Sequence, residues 1–184
     1  MKKFFVVFAL FAALIFVVSC GGNTDSDDSD TDLSDSDSDD SVSDSCPTID
    51  GNIWSSLSSY TMEWQEALDF CNGLNECGYS DWRLPNINEL RTLIKNCSGS
   101  QTDGACAVSD PDHLASSDWG DDCFCEYKEN NGGYYSKLGD DDNVWLWSSS
   151  THSDVPDYAW FVNFIKGNVL YNFKSYNFHV RCVR

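Results

Sequence analysis

The 184-residue sequence predicts an α+β domain stapled by disulfide bonds. Three observations carry that prediction. Helical hydrophobic periodicity runs through residues 61–97, aromatic and β-branched runs of strand length fill the last third, and eight cysteines are spread from Cys46 to Cys182.

From Thr61 to Leu74, the residues Trp64, Ala67, Leu68, Cys71 and Leu74 fall on one helical face. Thr61 is the expected N-cap, Glu63 sits in the first turn, and Gly78 lies beyond the end. A second helix is expected after Pro85. Asn86 is its N-cap, Glu89 three residues later completes a capping box, and Leu90, Leu93, Ile94 and Cys97 form the inner stripe. Strands are expected at Val144–Trp147, Tyr158–Ile165, Val169–Phe173 and Phe178–Val183, which places Cys182 in the sheet. Lys166-Gly167-Asn168 reads as a hairpin turn. Residues 98–142, dominated by Gly, Ser, Asp and Asn, read as long loops held by disulfides in place of a core of their own.

The N-terminus reads as an export signal. Lys2 and Lys3 precede a 15-residue apolar run, Phe4 to Val18, shorter than the roughly 20 residues that span a bilayer. Val17-Val18-Ser19-Cys20 resembles the lipobox of bacterial lipoproteins, which implies a signal peptide at 1–19 and acylation of Cys20, including palmitate. Gly21 after that cysteine, by resemblance to the lipoprotein sorting rule, points to the outer membrane. Residues 21–45 hold ten aspartates and no Lys or Arg. Such a segment cannot bury enough surface to offset its ordering entropy, so 20–45 is expected to be a lipidated, disordered tether and 46–184 the folded domain.

The net charge of the chain is −19. Setting aside the tether's ten acids and Lys2 and Lys3, the domain keeps 20 acidic and nine basic residues. Such a surface repels phosphate, so nucleic acid is not an expected partner. Nine cysteines less Cys20 leave Cys46, Cys71, Cys77, Cys97, Cys106, Cys123, Cys125 and Cys182, an even set that reads as four bridges among 105 possible connectivities. Cys123-Phe124-Cys125 lacks the two-residue gap of a zinc knuckle, and no Cys-x-x-Cys redox pair is present.

Six ordered motifs then point to one family. They are Trp64-Gln-Glu-Ala-Leu-Asp-Phe-Cys71, Gly78-Tyr-Ser-Asp-Trp-Arg-Leu-Pro85, Glu89-Leu90, Trp147-Ser-Ser-Ser-Thr151, Ala159-Trp-Phe-Val-Asn-Phe164 with Gly167, and Val180-Arg-Cys-Val-Arg184. Together they resemble the Lcl C-terminal domain family, the domain that ends bacterial collagen-like adhesins. The resemblance implies a C-type-lectin-like fold with two helices, a small, mostly antiparallel sheet and long disulfide-stapled loops. It also implies a Cys71–Cys182 bridge joining the first helix to the last strand, and adhesion or ligand binding at the cell surface. Some members are linked to sulfated glycosaminoglycans; this acidic chain has no clustered basic patch to hold them. With Cys71–Cys182 taken from the resemblance and Cys97–Cys106 closing a short Gly/Ser loop, Cys123 and Cys125 are too close to pair with each other. Each is then expected to pair with Cys46 or Cys77, which leaves two connectivities.

The function expected is a cell-envelope lipoprotein that displays an adhesion module for carbohydrate or protein, facing the periplasm or the exterior. Loop aromatics Trp119, Phe124, Tyr134 and Tyr135 are the candidates for stacking on a saccharide. Trp145, Trp147 and Trp160 read as core or sheet residues, Trp82 to Pro85 as a buried turn with Arg83 bonding loop carbonyls, and the three histidines as scattered. Asp121, Asp122, Asp140, Asp141, Asp142 and Asn143 form a candidate structural calcium site. No cofactor is required. The chain lacks the Glu-Pro-Asn or Gln-Pro-Asp triplet through which calcium-dependent lectins hold sugar. A structural envelope-assembly lipoprotein is the alternative reading. A relative of formylglycine-generating enzymes is a further one, though no catalytic constellation stands out and no enzymatic activity is expected.

Overall fold

The computed structural model describes residues 46–115, 123–125, 134–139 and 142–184. Within them the chain forms β1 (Thr48–Ile49), β2 (Asn52–Ile53), α1 (Trp64–Gly73), α2 (Ile87–Thr92), β3 (Trp145–Thr151), β4 (Tyr158–Asn163) and β5 (Asn168–Phe173). β1 and β2 make a hairpin across Asp50-Gly51, both at positive φ, the geometry that Asp-Gly turns favour. The other sheet is antiparallel in the order β3-β4-β5. Two helices, small antiparallel sheets and disulfide-stapled loops make this an α+β fold. No helix among the described residues is long and apolar enough to cross a membrane.

The three-stranded sheet is buried on both faces, and strand alternation explains how. Leu146, Trp160 and Val162 join Ile87, Leu90, Leu93 and Ile94 from α2 and its C-terminal flank in one apolar cluster. Trp147, Ala159 and Phe161 point the other way and pack with Ala67 and Cys71 of α1, Met62 and Phe178. Each fully buried Leu or Ile contributes about 1.5–3 kcal/mol relative to exposure.

The second helix starts where its sequence predicts but ends at Thr92, so Leu93, Ile94 and Cys97 of the expected stripe are buried beyond it. Asn86 Oδ1 accepts from the Glu89 N–H at 2.9 Å, and Glu89 Oε2 accepts from the Asn86 N–H at 2.9 Å, completing the capping box. The first helix starts later than expected. Thr61 is not its cap, because Met62 is drawn into a two-way bridge with Phe178 that keeps the chain extended until Glu63, and Glu63 makes no side-chain cap. The expected strand at Phe178–Val183 resolves into single bridges. Its backbone is divided between Met62, Leu146, Trp54 and Arg83, so no ladder forms. The β4–β5 turn is also longer than Lys166-Gly167-Asn168. Asn163 pairs with Asn168, which leaves Phe164 to Gly167 as the turn. Gly167 is required there: its φ is 66°, and a Cβ would stand 2.9 Å from the Tyr135 ring and 3.0 Å from Cys97 Cβ.

Four disulfides close the domain: Cys71–Cys182, Cys46–Cys77, Cys97–Cys125 and Cys106–Cys123. All eight cysteines are bridged, and the link from α1 to the C-terminal segment is as the family resemblance implies. The other expected pairings are corrected. Cys97 and Cys106 do not join each other, and neither Cys46 nor Cys77 reaches Cys123 or Cys125. Glu76 accounts for the Cys46–Cys77 pair: its carboxylate accepts from the Ser56 N–H at 2.8 Å, which holds the Cys77 turn against the N-terminal segment that carries Cys46. Cys123 and Cys125, kept from each other as expected, instead clamp Cys106 and Cys97. Four bridges mark folding in an oxidising compartment, outside a reducing cytosol.

Trp82, Leu84 and Pro85 are buried as expected, whereas Arg83 is corrected. Its guanidinium is exposed and forks onto Glu89, with Nη1–Oε2 at 2.6 Å and Nη2–Oε1 at 2.5 Å, instead of bonding loop carbonyls. Burial pushes the Glu89 carboxyl up, but Arg83 and the Asn86 N–H outweigh it and hold the group below its ordinary value. A carboxylate lowered on folding stabilises the native state above its unfolded pKa, and that stability disappears as pH falls through the folded one. The Glu89→Gln variant should therefore be less stable than the parent at pH 7. The deficit should shrink on acidification through about pH 4, read from urea midpoints across pH. A similar pair joins the second and the last of the six motifs: Arg184 bonds Asp81 at 2.7 Å and lies 3.6 Å over the Tyr79 ring.

Candidate functional site

The first residue of β3, Trp145, stands where the sheet meets the C-terminal segment. Its carbonyl accepts from the His179 N–H at 3.0 Å, and Trp147 N–H donates to the His179 carbonyl at 3.2 Å. These two bonds set Asn177, Phe178 and His179 alongside β3. Trp145 stacks on Phe161 with ring centroids 5.5 Å apart and meets Phe178 edge-on at 5.1 Å. The buried aromatics hold the indole, yet 38% of the residue is exposed.

The exposed side of Trp145 opens on a cavity of about 350 Å³ lined by Thr61, Asn143, Val144, Ile165, Asn177, Phe178 and His179. Among the described residues, its lining holds no Asp, Glu, Lys or Arg. The polar members Thr61, Asn143 and Asn177 are exposed, and their side chains carry no hydrogen bond among the described residues. The Trp145 indole N–H has no partner there either. An exposed aromatic face edged by unspent amides and a hydroxyl is able to stack a flat apolar ligand face and bond polar groups at its rim.

A larger cavity of about 530 Å³ lies beside the end of α2 and is lined by Arg91, Thr92, Gln101, Asp103, Asp50 and Lys137 among others. Its cations are already spent. Arg91, 2% exposed, donates to the carbonyls of Ser100 at 2.8 Å, Gln101 at 2.6 Å, Cys106 at 3.1 Å and Val108, pinning the 98–108 loop to the helix. Desolvation pulls its pKa down, and Asp103 opposes this. Lys137 pairs with Asp50 at 2.8 Å. Arg91 is thus a structural pin that sequence reasoning missed.

The structure separates the residues singled out from sequence. Tyr135 is corrected: it is 1% exposed and belongs to the core around α2 and Gly167. Phe124 is partly buried against that same core, held by the clamped Cys123–Cys125 segment. Tyr134 alone of the described trio is exposed, edge-on to Tyr135 at 4.9 Å. Trp119 lies outside the described residues, as do Asp121, Asp122, Asp140 and Asp141.

Asp142 does not suit a calcium ligand, because both its oxygens are engaged. Oδ1 accepts from Arg181 Nε and Oδ2 from the Ser136 hydroxyl, each at 2.6 Å, in a fully buried site. Asn143 faces the Trp145 cavity. Among the described residues, the cluster Cys46, Glu76 and Cys77 offers metal-ligand atoms close together, but its two sulfurs are bonded to each other. Trp147 and Trp160 are buried as expected; Trp145 and His179, set aside in the sequence, are the ones brought together at the cavity. The available signal was Trp145 at the start of a strand, two residues after the polar Asp142-Asn143, an entrance position open to solvent.

No curated protein matches the chain. The model of the Lcl C-terminal domain matches residues 42–184, spanning all six motifs and all four disulfides. On that match the chain belongs to the Lcl C-terminal domain family.

Proposed function

We propose that this protein is an envelope lipoprotein whose lectin-like domain is an adhesion module binding carbohydrate in the Trp145 cavity. The observation that carries the reading is the exposed Trp145 face, backed by Phe161 and Phe178 and rimmed by Thr61, Asn143 and Asn177. The C–H-bearing face of a sugar ring is apolar and slightly positive, and it stacks on the negative face of an indole while its hydroxyls reach the rim. Display from the outer membrane rests on the lipobox-like Val17 to Cys20 and the acidic tether that follows. The four disulfides suit an extracytoplasmic site of action.

In a glycan array probed with the purified full chain, retention should fall at least tenfold for Trp145→Ala and stay unchanged for Tyr134→Ala. Equal retention by Trp145→Ala and the parent would move the site elsewhere. The anchor has its own test: Cys20→Ala should abolish palmitate labelling and release the protein from membranes, and continued labelling would refute it.

A further inference from the structure

We infer that the Trp145 cavity selects an uncharged saccharide, and that His179 is the residue that enforces the choice by presenting a fixed hydrogen-bond acceptor at Nε2. This inference rests on the Trp145 reading above and adds the ligand's charge and one polar contact.

The bonds around Ser58 fix the tautomer. His179 Nδ1 lies 3.0 Å from the Ser58 carbonyl oxygen, which only accepts, so Nδ1 carries the proton. The Ser58 hydroxyl agrees. It donates its own hydrogen to the Tyr60 carbonyl at 2.8 Å and accepts from Val180 N–H at 2.9 Å, so its 3.4 Å contact with Nδ1 also places the imidazole as donor. With Nδ1 as the donor, the lone pair of the imidazole lies on Nε2. That nitrogen has no hydrogen-bond partner among the described residues, and His179 is one of the residues that line the cavity. Backbone bonds to Trp145 and Trp147 hold the ring in place beside the indole.

A ligand stacked on Trp145 therefore meets a preset acceptor beside it, which a hydroxyl or an amide N–H satisfies and a sulfate or carboxylate oxygen does not. An acceptor that a bound ligand covers without supplying a donor loses its water and gains nothing, which is how such a contact discriminates. Among the described residues, no Lys or Arg lines the cavity to offset an anionic ligand. The domain, with 20 acidic and nine basic residues, repels one further.

The test is an array carrying neutral, uronic-acid and sulfated oligosaccharides, probed with the full chain and with His179→Asn and Trp145→Ala. The Asn amide retains a donor toward Ser58 and removes the acceptor at the ε position, so the fold should survive, as checked by an unchanged melting temperature. The expected hits are neutral glycans, with retention about tenfold weaker in His179→Asn and lost in Trp145→Ala. Hits confined to sulfated or uronic glycans that still depend on Trp145 would overturn this inference and leave the carbohydrate site standing. Hits on neutral glycans with unaltered retention in a folded His179→Asn would overturn the role of His179. Absence of any glycan hit, or self-association in light scattering that Trp145→Ala abolishes, would contradict both readings.

Discussion

Replacing Cys71 and Cys182 together with alanine should lower the free energy of unfolding by about 5 kcal/mol, the largest effect of any single link in the domain. This bridge joins residues 111 apart, whereas Cys106–Cys123 joins residues 17 apart, for which the same chain-entropy model gives about 3 kcal/mol. Both sulfurs are fully buried in the cluster beneath α1, so the pair of alanines also leaves a small cavity. The bridge fastens α1 to the segment that carries Asn177 and His179, so its loss should loosen the Trp145 cavity as well. Guanidinium unfolding of the two double variants, Cys71→Ala/Cys182→Ala and Cys106→Ala/Cys123→Ala, checks the order. A smaller loss for the long bridge than for the short one would contradict it.

Asp142→Ala should cost about 3–5 kcal/mol, because it strands the Arg181 guanidinium in the interior. The side chains are 0% and 7% exposed, and the pair is tied on both sides, to the Ser136 hydroxyl and through Arg181 Nη1 to the Ser55 carbonyl at 2.6 Å. The double variant Asp142→Leu/Arg181→Met should recover much of the loss, since it removes the stranded charge along with its partner. Ser136→Ala, which takes away one hydrogen bond to the carboxylate, should cost about 1 kcal/mol. Chemical denaturation of the set reads all three. A near-neutral Asp142→Ala would mean that Arg181 finds water or another acceptor.

Both devices bear on what the sequence made legible. Local signals translated well: the Asn86–Glu89 capping box, the β4–β5 hairpin and the buried stripe from Leu90 to Cys97 all depend on residues a few positions apart. Contacts between distant segments did not. Met62 pairing with Phe178 set the start of α1, and no local cap preference at Thr61 was able to compete with it. The pairing of Cys46 with Cys77 depended on Glu76 reaching Ser56, and that of Cys97 with Cys125 on where the 123–125 segment crosses the core.

The same limit governed the site. Tyr135 sits in a Gly- and Ser-rich stretch that reads as exposed loop, yet it fills the space left by Gly167 and the Cys97 bridge. Trp145 shares a strand face with buried Trp147, against Phe161 and Phe178, and its position at the strand's entrance leaves it partly open. Asp142, one residue before Asn143, looks like part of a solvated acidic run. It is instead the counter-ion of Arg181 in the terminal family motif, 39 residues away.

The central claim is the location of the binding site, and a nuclear magnetic resonance titration of the isotopically labelled full chain with a glycan retained on the array tests it most directly. The account predicts that the perturbed resonances cluster at the Trp145 indole N–H, the Asn143 and Asn177 amides and the His179 ring, with Tyr134 unmoved. Perturbations centred on Tyr134 or on the 98–104 loop, with the Trp145 indole unmoved, would contradict it.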